Sequence, residues 1–142
     1  MSTIEPMTVQ VGRHEFAFTP PDEACFTFLG DFNETHVDGY LDFMFQCGDR
    51  CGEQLYGIYD LRQFTRVTGG ARKRVVKVER PYPLVALAAV GASFATRTAA
   101  GMILTAGKLV APHAFKFSIK FVANRDEARA WFDELRKKAA TT

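Results

Sequence analysis

Hydrophobic residues are most concentrated between Leu84 and Val110, and their pattern changes within that stretch. The run from Leu84 to Val90 is wholly apolar and ends at Gly91, which is typical of a strand buried on both faces and too short to span a membrane. After the turn Gly91-Ala92-Ser93, apolar positions recur at helical spacing, at Ala95, Ala99, Met102, Ile103, Ala106 and Val110. A buried strand that leads into a helix predicts half of a βαβ unit, at the centre of a sheet covered by helices.

The first thirty residues predict a small antiparallel meander. Residues 7–19 alternate apolar and polar positions on each side of Gly12-Arg13, as in two strands joined by a tight turn. A third strand follows over 24–29, and Gly30-Asp31 closes it. From Asn33 the period becomes helical and predicts an amphipathic helix that ends near Gly48, with its apolar face formed by Val37, Tyr40, Leu41, Met44 and Phe45.

The middle of the chain predicts a strand and a short helix. The strand covers 55–61, with Asp60 near its carboxyl end, where open α/β sheets place their sites. Thr65 or Thr68 then caps a helix through Ala71 to Val78, because Ser and Thr are preferred caps. The prolines of Arg80-Pro81-Tyr82-Pro83 stop this helix.

The last two elements are an edge strand and a helix. Over 115–121, phenylalanine and isoleucine alternate with Lys116, Ser118 and Lys120, which is typical of an edge strand with one wet face. Asn124 then caps a helix with Glu127 three residues on. The apolar face of that helix is formed by Ala128, Trp131, Phe132 and Leu135.

Composition adds the size and class of the fold. At 142 residues, with 47% hydrophobic residues and thirteen Phe, the chain has enough material for one core. We therefore predict a single α/β domain over 1–142, with a mixed sheet of five to six strands and about four helices. The amino terminus has no leader pattern, and three Cys at low density favour a reducing compartment, so the expected location is the cytoplasm.

The net charge of +2 hides an asymmetry between the two halves. Residues 1–60 hold eleven Asp and Glu against Arg13 and Arg50, a net −9, and residues 61–142 hold sixteen Lys and Arg against five acids, a net +11. If the halves interleave in one sheet, most of this charge cancels; otherwise the surface is dipolar and suits a charged partner. The basic residues between Arg62 and Arg80 include only Phe64 as an interleaved aromatic, so a nucleic-acid groove is not expected. A solvated face, or a docking surface for an acidic partner or a lipid headgroup, is expected instead.

Three motifs, together with the order of elements, resemble the SpoIIAA-like proteins of the STAS and SEC14-like superfamily, over roughly residues 8–139. They are Tyr59-Asp60-Leu61 at the end of a strand, the strand and turn Val85 to Ser93 with Thr96-Arg97 beyond it, and Phe121 followed by the helix Asp126 to Phe132. The resemblance implies a STAS/SEC14-like fold and a non-enzymatic regulatory module related to anti-sigma-factor antagonists. Antagonists of the sporulation type carry a phosphorylated Ser in Asp-Ser-Ser-Gly after the Asp-Leu strand. This chain has Arg62 to Gly70 there, so a surviving phosphoswitch would use Thr65 or Thr68.

Other candidate sites are sparse. Gly91-Ala92-Ser93-Phe94-Ala95 departs from the G-x-S-x-G elbow at its last position, so Ser93 is expected to cap the helix; with Asp60 and Arg97 it is also a candidate anion or ligand site. Cys47 and Cys51, with Cys25 and His36, have too loose a spacing for a metal site and are expected to be free thiols. His14, His36 and His113 are expected on the surface or in loops.

The sequence thus leaves two main functions open, and neither requires a cofactor, a metal or catalysis; a small enzyme, for which the sequence indicates no substrate, is a third and weaker alternative. One is a cytoplasmic regulatory module that binds a protein partner. The other is a SEC14-like binder of a lipid or small apolar ligand, since the small residues of the helix from Ala95 to Ala106 leave room beside the sheet. A homodimer, if it forms, is expected to use the helix face within 95–110, because lysines on the edge strand oppose edge-to-edge pairing.

Overall fold

The structure is a computed structural model that describes residues 5–141. Its strands are β1 (Met7–Val11), β2 (His14–Thr19), β3 (Glu23–Phe32), β4 (Leu55–Val67), β5 (Leu84–Val90) and β6 (Ser118–Val122). Its helices are α1 (Glu34–Cys51), α2 (Gly69–Val76), α3 (Phe94–Val110) and α4 (Arg125–Ala140), with one 3₁₀ turn over Pro112–Ala114. This agrees with the prediction of an α/β fold with up to six strands and four helices.

The six strands form one sheet in chain order, β1-β2-β3-β4-β5-β6. The first three are antiparallel neighbours, whereas β3 to β6 run parallel because a helix connects each to the next. β5 lies inside the sheet, as its apolar run predicts, although only β6 separates it from the edge. β6 is an edge strand, as predicted, but it covers Ser118–Val122 and not 115–121, and residues 115–117 lie between it and the 3₁₀ turn.

Helices cover both faces of the sheet. On one face, Ala128 and Phe132 of α4 pack against Tyr56, Ile58 and the alternate residues Ala86, Ala88 and Val90 of β5. On the other face α1 covers an aromatic core, and Phe26 contacts the rings of Phe16, Phe43 and Tyr59 at centroid distances of 5.2, 5.4 and 4.6 Å. The alternation along the strands therefore decides which residues meet α4 and which meet α1.

β4 is longer than the predicted strand, which was expected to end at Leu61. Its second half continues to Val67 and pairs with the end of β3, with Gly30 opposite Phe64 and Phe32 opposite Val67. The predicted helix cap at Thr65 is therefore wrong, because Thr65 lies within β4. Thr68 is the cap: its side chain accepts a hydrogen bond from the backbone N–H of Ala71 at the start of α2.

His14 is buried in the core, contrary to the expected surface position. Its Nδ1 accepts a hydrogen bond from the Leu29 backbone N–H, and its Nε2–H donates to the Asp31 carbonyl, both at 3.0 Å. Burial lowers the pKa of His14, with a further contribution from nearby His36, so the ring is neutral. The side chain thus pairs with the part of β3 that extends past its β2 partners.

The apolar positions predicted for α3 match its buried face only in part, at Ala99 and Ile103. Ala95, Met102, Ala106 and Val110 are exposed, whereas Thr96, Ile103 and Gly107 face inward with Ala99 at their border. Gly107 explains the packing near the helix end, because a Cβ there would lie 2.7 Å from the Phe115 ring. α3 is apolar on more than one side, so the spacing of its apolar residues does not select the stripe that meets the sheet.

The charge asymmetry is largely cancelled within the fold. Every ion pair in the described chain except Arg136–Asp133 joins an acid of residues 1–60 to an arginine of residues 61–142. Arg129 pairs with Glu23 and Arg136 with Asp22, so these ion pairs join α4 to the first residue of β3 and to the loop before it. The acidic and basic halves of the chain therefore interleave in one sheet, which is the first of the two alternatives that the sequence left open.

The aromatic core makes a first prediction. Phe26→Ala should lower the free energy of unfolding by about 3–5 kcal/mol, because it leaves a cavity among buried rings. Phe94→Ala is the matched control, since Phe94 is 86% exposed, and it should change stability by less than about 0.5 kcal/mol. Urea unfolding at neutral pH measures both, and equal losses would contradict the assigned core.

Candidate functional site

An apolar cavity of about 160 Å³ lies between α3 and the sheet. We call it the α3 cavity. Its α3 wall is made of Thr96, Ala99, Ala100, Ile103 and Leu104, and the facing walls include Phe28, Tyr59, Phe64, Leu87, Phe117 and Ile119. The small side chains of Ala99 and Ala100 do not reach the strands as larger residues would, which leaves the space open.

The polar tips in the wall of the α3 cavity are already paired. The hydroxyls of Tyr40 and Tyr59 hydrogen-bond to each other, and the Tyr82 hydroxyl donates to the Val75 carbonyl. Burial raises the pKa of Tyr40 and of Tyr59, so neither ionises near neutral pH. The cavity therefore presents an apolar surface of the kind that binds a small hydrophobic molecule.

A second, polar cavity of about 290 Å³ lies beside the α3 cavity. We call it the Arg72 cavity. Thr65 and Thr68, the two candidate phosphoswitch residues, both line it, together with Arg66, Arg72 and the first residues of α2 and α3. The fold thus brings these candidates together, with Thr65 exposed and Thr68 half-buried.

Ser93 begins α3, and its hydroxyl is engaged locally. Its side chain accepts a hydrogen bond from the Thr96 backbone N–H at 3.2 Å and donates one to the Thr96 hydroxyl at 3.0 Å. The expected cap is confirmed. Arg97, one turn on, lies with its guanidinium 5.4 Å from the centre of the Phe121 ring, a cation–π contact with the edge strand.

Asp60 is buried and held by two arginines. Its Oδ1 accepts hydrogen bonds from the Arg62 backbone N–H and Nε, and its Oδ2 accepts from terminal nitrogens of Arg62 and Arg125 at 2.7 and 3.0 Å. The hydrogen bonds from Arg62, supported by Arg125, lower the pKa of Asp60 to about 2. These four donors fill the acceptor positions of the carboxylate, and no described hydrogen bond joins Asp60 to Ser93 or Arg97.

The cysteines are free in the described structure. Burial raises the pKa of Cys47 to about 12 and also raises the pKa of Cys51, so both are thiols at neutral pH. Over residues 5–141, no three His, Cys, Asp or Glu side chains are grouped so as to hold a metal ion. Within the same range, no helix has the length and hydrophobicity to cross a membrane.

Sequence reasoning anticipated the space beside α3 but did not show that Arg66 and Arg72 line a cavity next to it. Arg66 and Arg72 stood in a basic run that was assigned to a solvated face or a docking surface. The available signal was the apolar set Leu61, Phe64 and Val67, but these residues recur every third position and not every second one. The two irregularities in the pairing of β3 with β4 interrupt the alternation that identifies a strand.

The Asp60 network predicts how stability depends on acid. The folded-state pKa lies below the unfolded value, so the stabilisation is fully present above pH 3.8 and is lost as the pH falls towards 2. Asp60→Asn should cost about 1–3 kcal/mol at neutral pH and flatten that acid dependence. Asp133→Asn is the control, because it breaks only an exposed pair with Arg136 and should have little effect. Urea unfolding between pH 2 and 7 tests this, and a profile unchanged in Asp60→Asn would contradict it.

The comparisons with known proteins support the fold. No protein-family model matches this sequence, and no curated protein matches it. Among solved structures, the chain is similar to an uncharacterised protein of the DUF3478 family with a SpoIIAA-like fold, from Shewanella loihica PV-4. The match has a TM-score of 0.56 and 12% sequence identity, and it covers 92% of this chain and 98% of the other. The chain is therefore an α/β domain with a SpoIIAA-like fold.

Proposed function

We propose that this chain is a regulatory binding module without catalytic chemistry, and that it binds a small apolar molecule in the α3 cavity. The observation that carries the proposal is the cavity itself, because its walls are apolar and its tyrosine hydroxyls are already paired. Hydrophobic burial is then the main source of affinity.

The remaining candidate groups support binding over catalysis. The Asp60 carboxylate is occupied by arginine donors, and the Ser93 hydroxyl is engaged in the α3 cap. Both nitrogens of His14 hydrogen-bond to backbone groups, and Nδ1 of His36 accepts from the Asn33 backbone N–H. In the described chain, no hydroxyl or thiol is hydrogen-bonded to a histidine that would activate it.

The size of the α3 cavity limits its ligand. A protein cavity of roughly 150 Å³ lined by aliphatic and aromatic residues accommodates benzene. The α3 cavity, at about 160 Å³, matches an apolar group of about six to eight carbons. A full phospholipid does not fit within this volume, so the SEC14-like alternative is narrowed to a small ligand.

Binding of 1-octanol tests this function. Chemical-shift titration of ¹⁵N-labelled protein should show saturable shifts at residues of the α3 cavity. Ala100→Leu fills the cavity and should weaken binding by about tenfold or more, while the protein stays folded. Ala106→Leu makes the same change on the exposed side of α3 and should leave the affinity within about twofold. No saturable binding, or equal binding in both variants, would refute the proposal.

A protein partner is the second candidate function, and the outer side of α3 favours it. Phe94, Met102, Leu109 and Val110 are the large hydrophobic residues that the described chain exposes most, at 86, 57, 80 and 60%. Phe94, Met102 and Leu109 are eight and seven residues apart, so they lie on the same side of α3 and give an apolar surface interrupted by the exposed Thr98 and Thr105. A regulatory partner or a second copy of the chain would cover it.

Whether two copies of the chain associate through this surface can be tested directly. If two copies associate through the outer side of α3, Leu109→Lys should convert a dimer into a monomer in light scattering across a concentration series, because it places a charge in an apolar contact. Lys108→Leu is the reciprocal control, since it extends the apolar surface and should not weaken association. A wild-type monomer at every concentration would exclude the homodimer and leave a different partner for this surface.

A further inference from the structure

The Arg72 cavity and the α3 cavity share a wall. Phe64 and Val67 of β4 and Thr96 and Ala99 of α3 line both. Because they share these residues, the two cavities adjoin at the start of α3, and the Arg72 cavity offers polar surroundings beside the α3 cavity. Resting on the proposed function, we infer that the ligand is an amphipathic anion, with an apolar tail in the α3 cavity and a carboxylate or phosphate head in the Arg72 cavity.

The charges of the Arg72 cavity all favour an anion. Arg66 and Arg72 contribute its charged side chains, and no acidic residue is among the described residues that line it. Arg66 has one ion pair, with Asp31 at 3.4 Å, in which both side chains are largely exposed. Such a pair contributes little to stability, so Arg66 is free to turn to a ligand at small cost.

Arg72 is the residue of this cavity that most needs a ligand. Its Nε is buried, yet it has no hydrogen-bond partner among residues 5–141. An unsatisfied buried donor costs free energy, and guanidinium donors are rarely left unpaired inside a protein. A carboxylate or phosphate would accept from this N–H with one oxygen and from a terminal nitrogen with a second oxygen, in the paired geometry that arginine offers.

The backbone adds to the positive potential. The first residue of α2, Gly69, and the first turn of α3, at Ala95 and Thr96, line the same cavity. Neither helix has an acidic residue in its first turn, so the positive ends of both helix dipoles are uncompensated there by their own side chains. Glu34 packs against Gly70, but it does not line the cavity.

Four probes measure the contributions of the head and the tail to affinity: 1-octanol, octanoate, octyl phosphate and acetate. Each is titrated into the full chain by the same NMR experiment. Octanoate should bind about tenfold more tightly than 1-octanol, because it adds charge-assisted hydrogen bonds to the same tail. Octyl phosphate distinguishes the two head groups, and acetate should bind too weakly to saturate because it lacks the tail. Added salt should weaken octanoate binding and leave 1-octanol binding nearly unchanged.

Arg72→Gln should reduce the affinity for octanoate by about tenfold and leave that for 1-octanol within about twofold. Lys73→Gln removes the same charge from the next, exposed position of α2 and should change neither. Arg66→Gln is a second variant that keeps the test valid if Arg72→Gln does not fold.

The inference is overturned if neither anion binds more tightly than 1-octanol, or if the arginine variants leave that preference intact. This failure is distinct from failure of the proposed function, in which 1-octanol itself does not bind. A preference for octyl phosphate alone, or for octanoate alone, supports the inference and identifies the head group.

Discussion

The pairing of β3 with β4 beyond the end of β5 is the interaction on which the binding surfaces depend. β5 pairs with β4 only as far as Asp60, and from there β4 is held by β3 on one side. This extension positions Phe64 and Val67 in the wall of both cavities and leads directly into the Thr68 cap of α2. Without it, Arg66 and Arg72 would have no fixed relation to α3.

His14 supports this extension from the opposite side. The end of β3 needs partners for backbone groups that β2 does not reach, and a neutral imidazole provides one acceptor and one donor for them. A buried His with its ring between Phe28 and Phe32 is thus part of the sheet, since it completes the hydrogen bonding of a strand. Burial disfavours the charged imidazolium, so the ring stays in the neutral form that makes both of these hydrogen bonds.

The sequence predicted most elements because their periodicities were clear, and it failed where periodicity was ambiguous. Strict alternation identified β1, β2 and β6, and the Asn124 cap with its apolar face identified α4. Irregular pairing obscured the end of β4, so Thr65 was placed at a helix start. For α3, apolar residues lie on several sides, and only packing against Phe115 and the strands selects the buried one.

The candidate site was predicted in outline and not in detail. Small residues in α3 predicted space beside the sheet, since side-chain volume is a property of the sequence. The size of that space and the convergence of Arg66 and Arg72 depend on how three helices and four strands meet, which no local pattern encodes. Ser93 was assigned correctly because a cap is a local interaction, whereas the arginine partners of Asp60 include Arg125, far away in the chain.

The opposite charges of the two halves have a consequence for how the chain folds. The parallel pairing of β3 with β4 joins strands separated by the whole of α1, so the unfolded chain must close a long loop before that contact forms. A segment of net −9 followed by one of net +11 attracts itself across that loop. This attraction favours compact unfolded conformations in which acidic and basic halves are already close, and dissolved salt opposes it by screening. The electrostatic attraction between the halves thus acts from the beginning of collapse, and the ion pairs of the native state are its short-range form.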